Sequence, residues 1–294
     1  MPEPLASPRP LLVTGATGRV GRLVVDELLA AGAPVRALTR RPEAANLPSC
    51  VEVATGDLTV PQTLDTALTG VRAVFLVWTA PAAAAPAVIE RMAARTGRVV
   101  LLSSPHRTPH PFFQQPNRLA DLHAHIEKLV ADSGARSTII RPGMFASNTG
   151  MWWSAMIKDG DVVRWPYANA ETAPIDERDI AAVAARSLLD DVHVGGDYVL
   201  TGPERLTQAD QVRIIAETLG RQLEFEELSP DDFRRHTAGV WPPAAVEMLL
   251  AAWGASIGQP ALVTSKVSDI LDTPARTFKQ WAADHTAAFT RPHG

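Results

Sequence analysis

Several features are scarce or absent in this sequence, and each absence argues against a kind of bond, partner or location. A single cysteine, Cys50, rules out an internal disulfide bond and fits a reducing compartment. A net charge of −4 argues against nucleic acid as the main partner, because no basic surplus exists to neutralise phosphates. No apolar run approaches the ~20 residues of a membrane helix, and the first residues lack a secretory signal pattern. We therefore expect a cytoplasmic protein without a membrane or nucleic-acid partner, either a monomer or a homodimer.

A glycine-rich loop follows the first apolar segment, Leu11-Leu12-Val13, and precedes apolar residues at helical spacing. In a dinucleotide-binding loop, the first glycine allows a tight turn and the second lets the backbone approach a diphosphate. The third lets helix and sheet pack closely, and the N–H groups that begin the helix face the anion. The pattern predicts cofactor contacts from Gly15, Thr17, Gly18, Arg19 and Val20. The alternative is an ordinary glycine turn in an α/β protein.

The end of the second predicted strand, Val35–Thr39, indicates which cofactor is bound. An NAD site usually has an acidic residue there, whereas an arginine suits the 2′-phosphate of NADP. Thr39 occupies the acid position, and Arg40 and Arg41 follow it. The sequence favours NADPH, with Arg40 as a cofactor ligand, unless both arginines are merely solvated.

Strands alternate with helices as far as residue 141, which predicts an α/β fold with a doubly wound parallel Rossmann sheet. Ligands of such sheets lie at the carboxyl ends of the strands. Residues that follow the third to sixth strands are therefore further predicted cofactor contacts: Asp57, Leu58, Thr79, Ser103 and Pro142. Asp57 can accept a hydrogen bond from the adenine amino group, or it can stabilise a turn or cap a helix. Ser103 can equally be structural.

The chain divides into two predicted domains. Residues 1–150, with 174–202 returning to the sheet, form the NADP-binding Rossmann domain. Residues 151–173 and 203–294 form a smaller, mainly helical substrate-binding and lid domain, in which 231–260 is the candidate lid.

The sequence contains seven tryptophans but only two tyrosines. Several aromatic residues fall in the predicted substrate domain or just before it. Flat apolar walls with few hydrogen-bond donors suit a flat, polycyclic, apolar substrate. The predicted substrate contacts are Met144, Phe145, Trp152, Trp153 and Trp241. Ordinary core packing is the rival interpretation.

Eight short motifs occur in one order along residues 10–220: the glycine loop, Arg40, GDL at 56–58, Ser103-Ser104, IRPG at 140–143, PID at 174–176, RDIA at 178–181 and LTGPE at 200–204. In this the chain resembles the atypical short-chain dehydrogenase/reductases of the NmrA-like, NAD(P)H-binding group. The resemblance implies a Rossmann domain, NADP(H), and reduction of a carbonyl, quinone or enone. Among such enzymes the chain resembles the angucyclinone ketoreductase type of simocyclinone biosynthesis. NmrA regulators themselves bind dinucleotide without known turnover.

The wider superfamily commonly uses a Tyr-x-x-x-Lys pair, in which the tyrosine protonates the developing alkoxide. No such pair exists in this sequence; Leu119 and His123 occupy the aligned positions. Either the protein binds without turnover, or hydride transfer proceeds mainly by proximity and orientation. The candidate catalytic residues are then Ser104, next to the reacting carbonyl, and His123, as a proton relay or ribose contact.

Four histidines between residues 106 and 125 do not predict a metal site. His123 and His125 point to different sides of a helix, and His106 and His110 lie among prolines. The sequence thus favours an NADPH-dependent ketoreductase of a polycyclic aromatic (polyketide-type) ketone or quinone, as in antibiotic biosynthesis. The alternative is an NmrA-like regulator that senses dinucleotide.

Overall fold

The computed structural model describes residues 9–291. Its strands are β1 (Leu11–Val13), β2 (Val35–Thr39), β3 (Glu52–Thr55), β4 (Ala73–Val77), β5 (Arg98–Leu102), β6 (Arg136–Pro142), β7 (Val162–Pro166), β8 (Glu171–Thr172), β9 (Asp197–Leu200), β10 (Leu206–Thr207) and β11 (Glu224–Leu228). Its α-helices are α1 (Arg19–Ala30), α2 (Leu64–Ala67), α3 (Ala85–Thr96), α4 (Arg118–Asp132), α5 (Ser147–Asp159), α6 (Glu177–Leu189), α7 (Gln208–Leu219), α8 (Pro230–Thr237), α9 (Pro243–Ser256), α10 (Lys266–Leu271) and α11 (Phe278–Asp284). Within the described range, no helix combines the length and apolarity that a bilayer crossing requires.

Two compact units make up the chain, and each is discontinuous in sequence. Among the described residues, unit 1 comprises 9–104, 121–141 and 180–198, and unit 2 comprises 105–120, 142–179 and 199–291. The predicted domains differ from these units at 105–120, 142–150, 174–179 and 199–202, all of which the structure groups with unit 2. For 142–150 the reason is local, because β6 ends at Pro142 and the chain leaves the sheet there.

Unit 1 is built on a seven-stranded sheet with the order β3-β2-β1-β4-β5-β6-β9. The paired strands β1 to β6 run parallel; Leu12, for example, lies opposite Arg36 on one side and Val74 on the other. Helices between the strands cover apolar residues such as Val74, which is fully buried. The order reverses beside β1, as in dinucleotide-binding folds. The predicted doubly wound Rossmann fold is confirmed.

A buried ion pair joins α4 to β6 inside unit 1. The guanidinium of Arg141 donates to both carboxylate oxygens of Glu127, at 2.6 and 2.9 Å. Its Nε donates to Asp197 at 2.5 Å, and the hydroxyl of Ser103 donates to Glu127. The side chains of Arg141 and Glu127 are only 3% and 5% exposed. Each charge compensates for the desolvation of the other, because neither side chain is well exposed to water.

Unit 2 has two small sheets, a parallel pair of β7 with β11 and an antiparallel pair of β8 with β10. Its core is an aromatic cluster, defined as Trp152, Trp153, Trp165, Phe233 and Trp253, whose ring centroids lie 4.8–6.3 Å apart where they are in contact. The cluster joins α5, β7, α8 and α9. Each of these large rings buries much apolar surface, so the cluster contributes strongly to the core of this unit.

Unit 2 also buries a carboxylate at the start of α5. The hydroxyl of Ser147 donates to Glu177, and the backbone N–H of Ser147 donates to the same oxygen at 3.2 Å. Burial raises the pKa of Glu177 above that of an ordinary glutamate, and these hydrogen bonds offset only part of the rise. Glu177 thus fixes the position at which α5 begins.

Replacing Arg141 with methionine should strongly destabilise the protein. The Arg141→Met variant removes the bidentate guanidinium partner of the buried Glu127, so the free energy of unfolding should fall by about 3 kcal/mol in urea titrations. Arg136→Met is the matched control, because Arg136 lies on the same strand but pairs with Asp191 while 57% exposed; its effect should stay below ~1 kcal/mol. Equal effects of the two substitutions would contradict a buried ion pair.

Stability should fall as pH rises through the titration of Glu177. The native state holds the proton of Glu177 more tightly than the unfolded chain does. Stability should therefore fall as the pH rises from the ordinary glutamate pKa of about 4.3 to the raised pKa of the native state, and should stay lower above it. Glu177→Gln should remove that part of the pH dependence, measured as urea stability from pH 4 to 8. Glu226→Gln, at an exposed glutamate paired with Arg164, is the control. Parallel stability profiles for Glu177→Gln and the wild type would refute the assignment.

Candidate active site

A groove of about 270 Å³ opens in unit 1 where β1, β2, β3 and β4 end. Its walls come from the four segments that leave these strands: Thr14, Gly15, Thr17, Gly18, Leu38, Thr39, Arg40, Arg41, Gly56, Asp57, Leu58, Thr59, Thr79 and Ala80. Parallel sheets bind their ligands at this edge, because the loops at the carboxyl ends of the strands converge there.

The glycine loop has the geometry that the sequence predicts. Gly15 has a φ of +61°, a left-handed conformation that favours glycine. A Cβ at Gly21 would overlap the carbonyl of Gly15, so only glycine lets α1 approach the loop this closely. Thr14 fixes the loop to β4, since its hydroxyl accepts the N–H of Val77 at 2.8 Å and lies 3.1 Å from the carbonyl oxygen of Phe75.

The first turn of α1 is suited to an anion. Gly18 is the N-cap residue and provides no side-chain cap, and the turn contains no acidic residue. The first N–H groups of a helix have no partner within the helix, and the helix dipole is positive at this end. A diphosphate therefore fits here without displacing a protein group.

Charge in the groove favours a phosphorylated ribose. No carboxylate of residues 9–291 forms an ion pair with Arg40 or Arg41, although both line the groove. The hydroxyl of Thr39 accepts the N–H of Arg41 at 3.2 Å and holds the turn. The backbone N–H of Thr59, its hydroxyl and the guanidinium of Arg40 keep the pKa of Asp57 below its usual range. Asp57 both holds this turn and remains an ionised acceptor in the groove.

Seven of the predicted cofactor residues line the groove: Gly15, Thr17, Gly18, Arg40, Asp57, Leu58 and Thr79. The other four do not. Val20 is 6% exposed and packs in the core, so only its backbone could reach a ligand, and Pro142 ends β6 in a buried position. The hydroxyl of Ser103 is committed to Glu127, which supports the structural alternative for that residue. Arg19 is exposed at the first position of α1.

The predicted catalytic residues both belong to unit 1, but neither lines the groove. The carbonyl of Ser104 accepts a hydrogen bond from Arg141 at 3.0 Å, which fixes the backbone where β5 ends. His123 is half-buried on α4. Of the two tyrosines, Tyr198 is bound to His193, with 3.0 Å between Oη and Nδ1. A tyrosine–lysine pair is absent from the sequence, and the structure leaves Ser104 and His123 as predictions.

Unit 2 contains a narrow aromatic cleft with an internal volume of about 10 Å³, enough for a single water molecule. The residues that line it come from the 105–117 loop, the start of unit 2 after β6, β8 and the 261–262 segment: His110, Phe112, Phe113, Gly143, Met144, Glu171, Thr172, Ala173, Thr201, Ala261 and Leu262. Met144 is the one predicted substrate residue in this set. Phe112 and Phe113 were missed, although two adjacent aromatic residues in a proline-rich loop were a usable signal.

Trp152 and Trp153, which we predicted to contact substrate, lie in the core of unit 2. Trp153 is fully buried and Trp152 is 7% exposed, and both belong to the aromatic cluster of the core. The structure places both tryptophans on α5, a helix that we did not predict, and its buried face carries them inward. This burial favours the rival interpretation, ordinary packing, and contact of this pair with substrate stays a prediction.

The other two predicted substrate residues, Phe145 and Trp241, differ in their surroundings. Phe145 is half-buried, and its backbone forms a bridge to Ile175. Trp241 packs edge-on against Trp165 and Phe233 and also lines a separate groove with Val240 and neighbouring residues. This region lies within the candidate lid, but the buried Phe233 anchors its first helix to the core.

Comparison with known proteins agrees with this geometry. A family model described as NAD(P)H-binding matches residues 15–191. The (4-alkanoyl-5-oxo-2,5-dihydrofuran-3-yl)methyl phosphate reductase of Streptomyces griseus is 37% identical over 95% of this chain and 99% of its own length. An NAD(P)H azoreductase of Xenophilus azovorans is 30% identical over 95% of this chain and 99% of its own.

A solved structure shares the fold along nearly the whole chain. The NADPH-dependent quinone oxidoreductase QOR2 of Escherichia coli, in complex with NADPH, superposes with a TM-score of 0.80 and 25% identity, over 93% of this chain and 99% of that one. The groove described above lies within the matched family segment except for Thr14. The chain belongs to the NAD(P)H-binding family and is an oxidoreductase of the NmrA-like, atypical short-chain dehydrogenase/reductase class.

Proposed function

We propose that this chain is an NADPH-dependent reductase of a carbonyl or quinone in a large, planar, aromatic substrate of the polyketide type. One observation supports the choice of cofactor above all. The uncapped start of α1 lies in the same groove as Arg40 and Arg41, which have no carboxylate partner within residues 9–291. The groove thus supplies separate positive sites for a diphosphate and a 2′-phosphate.

The residues of the groove bind and orient the cofactor. When bound, the nicotinamide supplies a hydride to the substrate. The N–H groups of the first turn of α1 hold the diphosphate, the guanidinium of Arg40 holds the 2′-phosphate, and Asp57 accepts from the adenine amino group. Binding fixes the reacting groups, and orientation of this kind can lower the barrier by as much as about 7–11 kcal/mol.

Proton delivery needs a source other than a phenol in this chain. We assign the Oγ of Ser104 or solvent as the donor, with His123 as a relay, because α4 carries no tyrosine. A substrate with its own phenol beside the carbonyl would serve equally well, since that internal hydrogen bond polarises the C=O. The barrier is then lowered mainly by orientation and less by acid catalysis.

The names of the relatives support a conjugated acceptor. They denote reductases of an oxo-dihydrofuran, an azo compound and a quinone. In this chain, the cleft of unit 2 has Phe112, Phe113 and Met144 in its walls, which suit a flat apolar ring. Because Trp152 and Trp153 are buried, they do not support a flat aromatic substrate. Within this chain, that part of the proposal depends on the cleft residues alone.

Steady-state oxidation of NADPH tests the proposal. We expect turnover with menadione and with polycyclic aromatic ketones, measured as loss of absorbance at the nicotinamide band. If NADPH binds but no member of the panel is reduced, and a partner protein binds in a cofactor-dependent way, the chain is a dinucleotide sensor of the NmrA kind.

Arg40→Ala should weaken binding of NADPH without weakening that of NADH. Loss of one charge-assisted hydrogen bond to the 2′-phosphate should raise the dissociation constant for NADPH about 10- to 100-fold. Titration calorimetry with both cofactors measures the effect, and NADH is the internal control because it lacks the phosphate. An equal loss for both cofactors would place Arg40 elsewhere than at the 2′-phosphate.

Ser104→Ala should retain appreciable activity. If orientation dominates and solvent can supply the proton, we expect kcat with menadione to fall by no more than about tenfold, below the usual range for loss of an acid catalyst. The comparison uses saturating NADPH, with thermal unfolding as the control for folding. Complete loss of turnover in a folded variant would make Ser104 the essential acid.

A further inference from the structure

The two arginines that suit a 2′-phosphate lie on a loop that is mostly exposed. This loop, residues 40–46, follows β2 and contains a single 3₁₀ turn, Pro42–Ala44. Six of its seven residues are exposed, and only Ala45 is buried, at 5% exposure. The positions of the guanidiniums of Arg40 and Arg41 therefore depend on the bonds that fix the two ends of the loop.

The beginning of the 40–46 loop is fixed by local bonds. The hydroxyl of Thr39, at the end of β2, accepts the backbone N–H of Arg41 at 3.2 Å. The N–H of Ala44 then donates to the carbonyl of Arg41 at 3.2 Å and closes the 3₁₀ turn. Both bonds stay within residues 39–44, so neither of them fixes the loop relative to α1, where the diphosphate is proposed to bind.

The end of the 40–46 loop is joined to α1 by Arg22. Asn46 has a φ of +44°, a left-handed conformation that asparagine adopts more readily than most residues. Its carbonyl oxygen accepts a hydrogen bond from the guanidinium of Arg22 at 2.6 Å. Arg22 is the fourth residue of α1 and follows Gly21 directly. One side chain thus connects the helix that offers N–H groups to a diphosphate with the loop that carries the two arginines.

The contribution of Arg22 to cofactor binding is indirect, because Arg22 does not line the groove. Its guanidinium donates to Asn46, and its Nε lies 3.6 Å from the carboxylate of Asp26, one helical turn further along α1. A loop that is already held in its binding conformation loses less conformational entropy when the ligand binds. The bond from Arg22 therefore favours a ligand that contacts the arginines of the loop, which means one with a 2′-phosphate.

We propose that Arg22 is a positioning residue for cofactor selectivity: it holds the 40–46 loop to α1 and so places Arg40 relative to the helix. The inference deepens the proposed function and rests on it, since the 2′-phosphate of NADPH is taken to contact Arg40. NADH has the same diphosphate but no 2′-phosphate, so loss of the bond from Arg22 should affect the two cofactors unequally. Loss of a direct attraction between the charge of Arg22 and the diphosphate would instead weaken both alike.

Arg22→Met tests the proposal in calorimetric titrations with NADPH and with NADH, which need no turnover. Methionine keeps an unbranched side chain and removes the hydrogen-bond donor. The dissociation constant for NADPH should rise about three- to tenfold, since one exposed, charge-assisted hydrogen bond no longer holds the loop. The constant for NADH should stay within about twofold of the wild-type value.

Arg72→Met is the matched control. The side chain of Arg72 is 40% exposed, against 38% for Arg22. Its guanidinium also donates to a backbone carbonyl, that of Leu189 at 2.9 Å, and lies 3.8 Å from one carboxylate, that of Asp191. Arg72 precedes β4 and so lies at the amino ends of the strands, away from the groove. This variant should bind both cofactors as the wild type does.

A double-mutant cycle shows whether Arg22 acts through Arg40. In a protein that already carries Arg40→Ala, adding Arg22→Met should raise the dissociation constant for NADPH by less than about twofold, because the contact that Arg22 positions is already lost. Thermal unfolding checks that each variant is folded.

The same titrations separate this inference from the proposed cofactor. If the wild type prefers NADPH and a folded Arg22→Met variant keeps the full preference, NADPH remains the cofactor and the role of Arg22 is refuted. Equal weakening of both cofactors by Arg22→Met, or full additivity with Arg40→Ala, would also overturn that role. A wild type that binds NADPH no more tightly than NADH would refute the proposed 2′-phosphate site and this inference with it.

Discussion

The close approach of Gly21 to the carbonyl of Gly15 is the constraint on which the rest of this structure depends. A side chain at Gly21 would occupy the space of that carbonyl, and Gly15 itself adopts a left-handed conformation. The buried hydroxyl of Thr14 fixes the same loop to β4. Together these contacts place the uncapped start of α1 at the edge of the sheet, where the groove opens. Cofactor binding is thus a consequence of backbone geometry as much as of any single side chain.

In this protein, the groups suited to binding differ from the groups available for the chemical step. The groove of unit 1 offers N–H groups and two arginines, and so is matched to phosphates. The cleft of unit 2 has Phe112, Phe113 and Met144 in its walls, and we propose that this apolar surface contacts the substrate. Without a tyrosine–lysine pair, the proton has to come from a hydroxyl or from water. A substrate that is already activated by conjugation suits such a site, because little acid catalysis is then required.

Local signals made much of unit 1 predictable from the sequence. Strand β2 has the predicted bounds, Val35–Thr39, because Pro34 precedes this short apolar segment and two arginines follow it. The conformation of the glycine loop was predictable because a steric reason favours glycine at its positions. Helix α5 and strand β7 were missed: tryptophans and methionines give no clear period, and a cluster of rings is equally typical of a core and of a pocket. The pairing of Arg141 with Glu127 joins distant segments, which no local pattern records.

Titrating the purified wild-type protein with NADPH and with NADH tests the central claim, that the groove at the start of α1 binds a phosphorylated dinucleotide. Calorimetry gives both dissociation constants under the same conditions. The account predicts that NADPH binds at least about tenfold more tightly, because only NADPH presents a 2′-phosphate to the unpaired arginines. Failure of NADPH to bind, or tighter binding of NADH, would contradict it.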